Sequence, residues 1–213
     1  MNTKKEFPIG TVILFISFII LILIIYLIQS PSQKTVPKDL IAVLRPQAVP
    51  IQPFSLTDQN GQPYTENNLK GKWSFLFFGY TYCPDICPTT LTTLKQINNE
   101  LKKNSKTASD MQVVFVSIDP ERDKPEMLAK YISYFSQEFT AVTGFDKNLI
   151  DFSRQFSAAY IKEAASTPGD YLMSHTSSIF LVDPQMRIVA SFSPPHQAET
   201  IIDQYQKIHE LFR

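Results

Sequence analysis

Cysteine, histidine and glycine are scarce in this chain, at two, three and six among 213 residues. Two cysteines cannot build a disulfide scaffold, but they suffice for one bridge or one pair of thiolate ligands. A zinc site of three or four thiolates, or a four-cysteine cluster, is therefore excluded within one chain. Few glycines and no short repeat argue against collagen-like and solenoid architectures. There is no basic run, and 20 cationic residues balance 20 anionic ones. The cationic footprint of a nucleic-acid binder is missing, so no nucleic-acid partner is expected. Neither a GxGxxG motif nor a P-loop occurs, which leaves no nucleotide-binding signature. Charged residues make up only 19% against 44% hydrophobic ones, a composition too apolar for a disordered chain.

The shortage of charge has a local cause. Ile9 to Ile28 reads IGTVILFISFIILILIIYLI, without a charge or a polar face. At 1.5 Å per residue such a helix spans about 30 Å, the hydrocarbon thickness of a bilayer. Leu27-Ile28-Gln29-Ser30 offers no small-residue cleavage site. A short segment, 1–8, followed by one uncleaved transmembrane helix, 9–28, is therefore expected. Lys4 and Lys5 on one side and Lys34, Lys38 and Arg45 on the other leave the charge rule indecisive. A first helix with the whole domain behind it favours an inside N-terminus. That puts the domain on the non-cytoplasmic side, the periplasmic face of a bacterial inner membrane or its equivalent, where thiols tend to be oxidised. Pro31, Pro37 and Pro46 mark residues 29–48 as an extended spacer, and residues 49–213 as the folded domain.

Within that domain, Asp58-Gln59-Asn60-Gly61 signals a hairpin. Trp73–Tyr80 (WSFLFFGY) and Met111–Ile118 (MQVVFVSI) are continuous apolar runs, the mark of strands buried on both faces. A helix is expected from the first cysteine to about Asn104, with Leu91, Leu94, Ile97 and Leu101 at helical spacing. Another should start at Asp123-Lys124-Pro125, with Asp123 as cap, and run to Phe135. Further helices are expected over 146–156 and 197–211, and a terminal strand pair over 178–182 and 187–192. This order predicts an α/β domain with a mixed central sheet and flanking helices, and a thioredoxin-like arrangement fits it.

Cys83-Pro84-Asp85-Ile86-Cys87-Pro88 follows a buried strand. At i and i+4 two helical cysteines share a face, with Cα atoms about 6 Å apart, inside the disulfide window of roughly 4.4–6.8 Å. The pair can bridge when oxidised or point two sulfurs at one metal when reduced. As a structural disulfide it closes too small a ring to constrain the unfolded chain. Thioredoxin-type redox motifs are C-x-x-C rather than C-x3-C. Tyr80 and Pro84 stand where a peroxidatic cysteine expects threonine. Soft thiolates favour Cu(I), zinc or iron–sulfur clusters, and imidazole suits copper. Any nitrogen ligand comes from His175, His196 or His209. His209 reads as a cation over the last carbonyls of a helix, and His196, after Pro194-Pro195, as a solvated loop residue. His175 leads into a central strand and is the candidate ligand.

The run Phe78-Gly79-Tyr80-Thr81-Tyr82-Cys83-Pro84-Asp85-Ile86-Cys87-Pro88 closely resembles the signature of the Sco (SenC) family. So does Val116-Ser117-Ile118-Asp119-Pro120-Glu121-Arg122-Asp123-Lys124-Pro125, and His175 stands where that family has its distal histidine. The resemblance implies a membrane-tethered, thioredoxin-like copper chaperone with no catalytic residues, whose copper ligands, Cu(I) or Cu(II), are Cys83, Cys87 and His175. It further implies a redox disulfide Cys83–Cys87, and as partners other copper chaperones and the copper-receiving subunit of cytochrome c oxidase, whose binuclear centre is assembled. The enzyme-class alternative is a thiol–disulfide oxidoreductase acting on oxidase cysteines, and a third reading is a redox sensor. Asp85, between the cysteines, and Met173, two residues before the histidine, are possible accessory groups. One position departs from the pattern: many members carry Asp directly before the distal His, and here it is Ser174.

Overall fold

The computed structural model describes residues 9–29, 36–103, 111–164 and 171–212. The expected segment 1–8, residues 30–35 of the expected spacer and the expected helix end at Asn104 lie outside the described residues. The chain divides into two units, Met1–Thr35 and Val36–Arg213.

In the first unit the uncharged run forms one helix, α1 (Ile9–Gln29), and its large apolar side chains between Val12 and Tyr26 are exposed. Among the described residues no helix is long and apolar enough to cross a membrane. The expected transmembrane segment is thus met as a helix but not as a span.

In chain order the second unit runs β1 (Leu44–Pro50), β2 (Ser55–Asp58), β3 (Pro63–Thr65), β4 (Trp73–Gly79), α2 (Ile86–Lys103), β5 (Met111–Ser117), α3 (Pro125–Phe135), β6 (Thr140–Thr143), α4 (Asp146–Gln155), β7 (Tyr160–Ala164), β8 (Tyr171–His175), β9 (Ile179–Val182), β10 (Arg187–Phe192) and α5 (Ala198–Leu211). Among the described residues, eight strands form one mixed sheet in the order β1-β10-β9-β4-β5-β6-β2-β3, while β7 and β8 pair only with each other. β4, β5 and β6 are parallel, and β9 lies antiparallel against β4.

The two apolar runs are the central strands because both their faces are covered, and every residue of β4 is buried. Phe75 packs on Tyr205 of α5 at 5.3 Å, and Phe78 on Phe152 and Phe156 at 6.0 and 5.4 Å. Each such ring contributes roughly 1.5–3 kcal/mol on burial. The parallel pair β4–β5 needs a crossover, supplied by α2, so the β4–α2 turn opens at the carboxyl end of the sheet beside the β5–α3 turn.

Three expectations need correction. The stretch taken as spacer joins the fold before Val49: Leu40 is fully buried and β1 pairs with β10, because a strand edge and an apolar hollow outweigh proline-rich composition. Asp123 does not cap α3. Lys124 holds that position, and Asp123 turns inward and is fully buried. His196 is not solvated; it is half-buried with Nε2 2.8 Å from the Ser177 carbonyl oxygen, and burial lowers its pKa.

Candidate metal centre

β4 ends at Gly79, and the chain turns through Tyr80–Asp85 before α2 begins. The Cys83 N–H donates to the Tyr80 carbonyl at 3.3 Å, tightening the turn. Cys83 therefore precedes the helix instead of lying on it, while Cys87 sits in the first turn of α2. The sulfur of Cys83 takes the capping role, accepting the Cys87 N–H at 3.4 Å, an orphan donor at a helix N-terminus. Both cysteines are free thiols; Cys83 is half-buried and Cys87 buried.

The turn is held from β5 and beyond. Ile118 N–H donates to the Gly79 carbonyl at 2.9 Å. The Asp123 carboxylate accepts the Thr81 N–H at 2.9 Å, the Thr81 hydroxyl at 2.6 Å and the Ser117 hydroxyl at 2.5 Å. Burial raises the pKa of Asp123 against these three bonds. Gly79 has a different task. A Cβ there would lie 2.7 Å from Cys87 Sγ and 2.8 Å from a Phe115 ring carbon, so the absence of a side chain makes room for the sulfur. An isolated glycine at the end of a strand-like apolar run was the sequence signal for such a close approach.

His175 arrives from elsewhere, at the end of β8. Its ring packs edge-on to Phe77 at 6.0 Å and Tyr80 at 6.1 Å. Its Nδ1 lies 3.0 Å from the Thr176 carbonyl oxygen. A carbonyl can only accept, so Nδ1 carries the hydrogen, which leaves Nε2 as the ring nitrogen that faces inward for a metal. That nitrogen is 3.6 Å from Cys87 Sγ. One ligand atom from each of Cys83, Cys87 and His175 falls within 4.8 Å of the others.

The two thiols are unlike each other. Cys83 is pulled well below the ordinary thiol range, first by its hydrogen bond with Cys87 and further by His175 and the backbone of Asp85 and Cys87, against the cost of burial. Cys87 is pushed up, first by that same bond and then by burial. The pair thus releases one proton readily and holds the second, and an incoming cation must displace that second proton. Two sulfurs and one imidazole nitrogen fall short of the four donors of a structural zinc site and match the soft-plus-imidazole set that copper accepts.

The other candidates lie outside this triad. Asp85 is exposed and offers its backbone to Cys83. Met173 is 9% exposed and belongs to the hydrophobic core; its backbone hydrogen-bonds Tyr80. The ring of His209 packs on Trp73 at 5.6 Å and Tyr205 at 5.9 Å. Ser174 is exposed on the face of β8 opposite to His175, and its hydroxyl donates to Glu163 at 2.5 Å. Sequence reasoning missed Gly79, the inward role of Asp123 and the β7–β8 hairpin that carries the histidine.

Among curated relatives, a Stutzerimonas stutzeri protein named as copper-binding is 39% identical over 142 residues, 67% of this chain and 68% of that one. The solved structure of Arabidopsis thaliana ScoI with copper bound superposes with a TM-score of 0.70 at 34% identity, covering 75% of this chain and 98% of that one. BsSco, described as having a disulfide switch and as a member of the Sco family of cytochrome c oxidase assembly proteins, superposes with a TM-score of 0.59 at 25% identity, covering 76% and 95%. These neighbours share the thioredoxin-like Sco fold. The SCO1/SenC family model matches residues 44–210, which takes in both central strands, the cysteine turn and the histidine hairpin: the chain belongs to the SCO1/SenC family.

Proposed function

We propose that the chain is a copper chaperone whose ligands are Cys83, Cys87 and His175. The carrying observation is that one ligand atom from each of Cys83, Cys87 and His175, brought in by two separate elements, falls within 4.8 Å of the others. Cys83, ready as thiolate and half-exposed, receives Cu(I) first. Cys87 then gives up its proton, and His175 completes the set through Nε2. A recipient's thiolates take the ion by displacing these ligands one at a time, starting at half-exposed Cys83. The recipient in this reading is the binuclear copper centre of cytochrome c oxidase, in line with the assembly role ascribed to BsSco. Helix α1, with twenty uncharged residues over 9–28, serves as the anchor, and the domain stands on the non-cytoplasmic side.

The test is an anaerobic Cu(I) titration of the reduced chain against a competing chelator, beside His175→Ala and a Cys83→Ser/Cys87→Ser double variant. One-to-one binding, abolished in the double variant and weakened about tenfold or more without His175, is the expected result. Equal copper binding after loss of both cysteines overturns the proposal.

A second reading rests on the unequal thiols. A low-pKa half-exposed cysteine beside a buried one suits thiol–disulfide exchange. The Cys83 thiolate would attack a partner's disulfide and release one partner thiol. Cys87, after losing its proton, would close Cys83–Cys87 and release the second. That chemistry does not use His175, so a His175→Ala variant with full reductase capacity and unchanged copper binding selects this reading over the chaperone.

A further inference from the structure

The two halves of the metal centre sit on different sheets. Both cysteines follow β4 of the large sheet, while His175 ends β8, which among the described residues pairs only with β7. The base of the hairpin is tied by Thr176 N–H to the Ala159 carbonyl at 2.9 Å and Ala159 N–H to the Thr176 hydroxyl at 3.0 Å. Both bonds join the hairpin to itself and do not fix its distance from the sulfurs.

Tyr80 of the cysteine turn touches the hairpin directly, at the His175 ring and the Met173 backbone, and among the described residues a side chain from outside both halves reaches each of them as well. Arg122 follows β5 and has a side chain 17% exposed, and its Nε donates to the Asp119 carboxylate at 2.5 Å. Its guanidinium carbon lies 3.6 Å from the ring centroid of Tyr171 on β8. The same carbon lies 4.7 Å from the ring of Tyr82 and 5.7 Å from that of Tyr80, both in the cysteine turn. Its Nη1 donates to the Tyr171 carbonyl oxygen at 3.1 Å. Tyr171 returns the contact, its hydroxyl donating to Asp119 at 2.6 Å.

We infer that Arg122 is a positioning residue that clamps the β7–β8 hairpin onto the cysteine turn and so sets the distance from His175 to the two sulfurs. Tyr171 and His175 lie on the same face of one short strand, roughly 13 Å apart at 3.3 Å per residue, so fixing the first aims the second. The task needs arginine. A planar guanidinium can stack on one ring while its nitrogens donate to a carboxylate and a carbonyl, and a lysine ammonium cannot. With the clamp loosened, the hairpin samples more orientations and the imidazole is less often in place for the metal.

This inference deepens the copper reading and rests on it for its binding readout. The experiment measures Cu(I) affinity by anaerobic chelator competition for five forms of the 213-residue chain: wild type, Arg122→Lys, Tyr171→Leu, His175→Ala and the Arg122→Lys/His175→Ala double variant. It also measures hydrogen exchange on the same metal-free chains. Arg122→Lys leaves a cation beside Asp119, so the buried carboxylate is not orphaned; Tyr171→Leu approaches the clamp from the other side and leaves that ion pair whole. The expected result is about a tenfold loss on Arg122→Lys when His175 is present and less than about twofold when it is absent, the signature of two residues acting together. In the metal-free chain, amides of 160–164 and 171–176 should exchange faster while those of β4 and β5 do not. Equal losses in both backgrounds, or no loss, overturn the inference. If His175→Ala itself leaves copper binding unchanged, the copper reading fails, and the exchange pattern still decides the clamp: no change in β7–β8 overturns it.

Discussion

The two halves of the metal centre are held by different physics. On the cysteine side, Cys87 is fully buried, Gly79 leaves it no spare room, and Asp123 pins Thr81 with two hydrogen bonds and Ser117 with a third. On the histidine side, β7 and β8 stand outside the large sheet, with Ile161 at 66% and Leu172 at 46% exposure. Core packing places the sulfurs, and a few polar and cation–π contacts place the nitrogen. Damage to the first half should therefore appear in stability and binding together, because its residues belong to the globally cooperative core. Damage to the second should appear in binding or local opening alone.

The strongest way to break that contrast is Gly79→Ala. The added methyl meets Cys87 Sγ and Phe115 well inside contact distance, and neither neighbour is the free end of a long side chain. Overpacking of this kind costs about 1–3 kcal/mol, a fall in Tm of several degrees in a domain of this size, at about 2–4 °C per kcal/mol. Cys87 must also move relative to His175, so Cu(I) affinity should fall by more than about tenfold. Thermal unfolding and chelator competition on one preparation check both. A variant that loses stability and keeps full copper affinity shows that the cysteine half has slack.

Next in size is Asp123. Asp123→Ala strands three donors beside the cysteine turn and should cost about 1–3 kcal/mol in urea unfolding at pH 7, without the direct displacement of Cys87 that Gly79→Ala adds. Asp123→Asn should cost far less, since its amide keeps an acceptor and the Thr81 hydroxyl can turn to accept. The pH dependence separates burial from bonding. Burial raises this carboxyl in the folded chain, so the folded state holds the proton more tightly than the unfolded state. Its contribution to stability is then greatest below the unfolded value near 3.9 and declines as pH rises through the raised folded value. Asparagine removes that decline. An unchanged slope between pH 4 and 7 in Asp123→Asn shows that other carboxyls set it.

The contrast also explains what was legible in the sequence. β4 and β5 stand out because strands covered on both faces read as unbroken apolar runs, and α2, α3 and α5 because one face is buried at helical period. β6, four residues long, has no run to betray it. β7 and β8 invert the usual pattern: apolar Ile161 and Leu172 face solvent, while Lys162 reaches the Tyr171 ring at 3.8 Å. Residues 38–48 read as linker because their one fully buried anchor, Leu40, is isolated. The cysteine spacing conveyed proximity but not that Cys83 stands ahead of the helix as its cap. Asp123 looked like a local cap, since its true partner Thr81 is 42 residues away. His175 emerged by elimination and by family resemblance, and the arginine that aims it left no local signal.

The smallest effect is expected at the position where this chain departs from many of its relatives. Ser174 is adjacent in sequence to His175, yet alternation along β8 turns it to the outer face, where its hydroxyl meets Glu163. Ser174→Asp sets a second carboxylate against Glu163 at an exposed cross-strand site. Repulsion there costs about 0.2–1 kcal/mol, felt as faster exchange of the β7–β8 amides, and Glu163→Gln in the same chain should restore it. Because the new carboxylate points away from both sulfurs, Cu(I) and Cu(II) affinities should stay within about twofold of the parent, a margin well below the 1.4 kcal/mol that marks a factor of ten. A tenfold gain for Cu(II) shows instead that the hairpin can turn its outer face to the metal. The histidine half would then be adaptable in orientation as well as in distance, and the clamp at Arg122 would select between two faces of one strand.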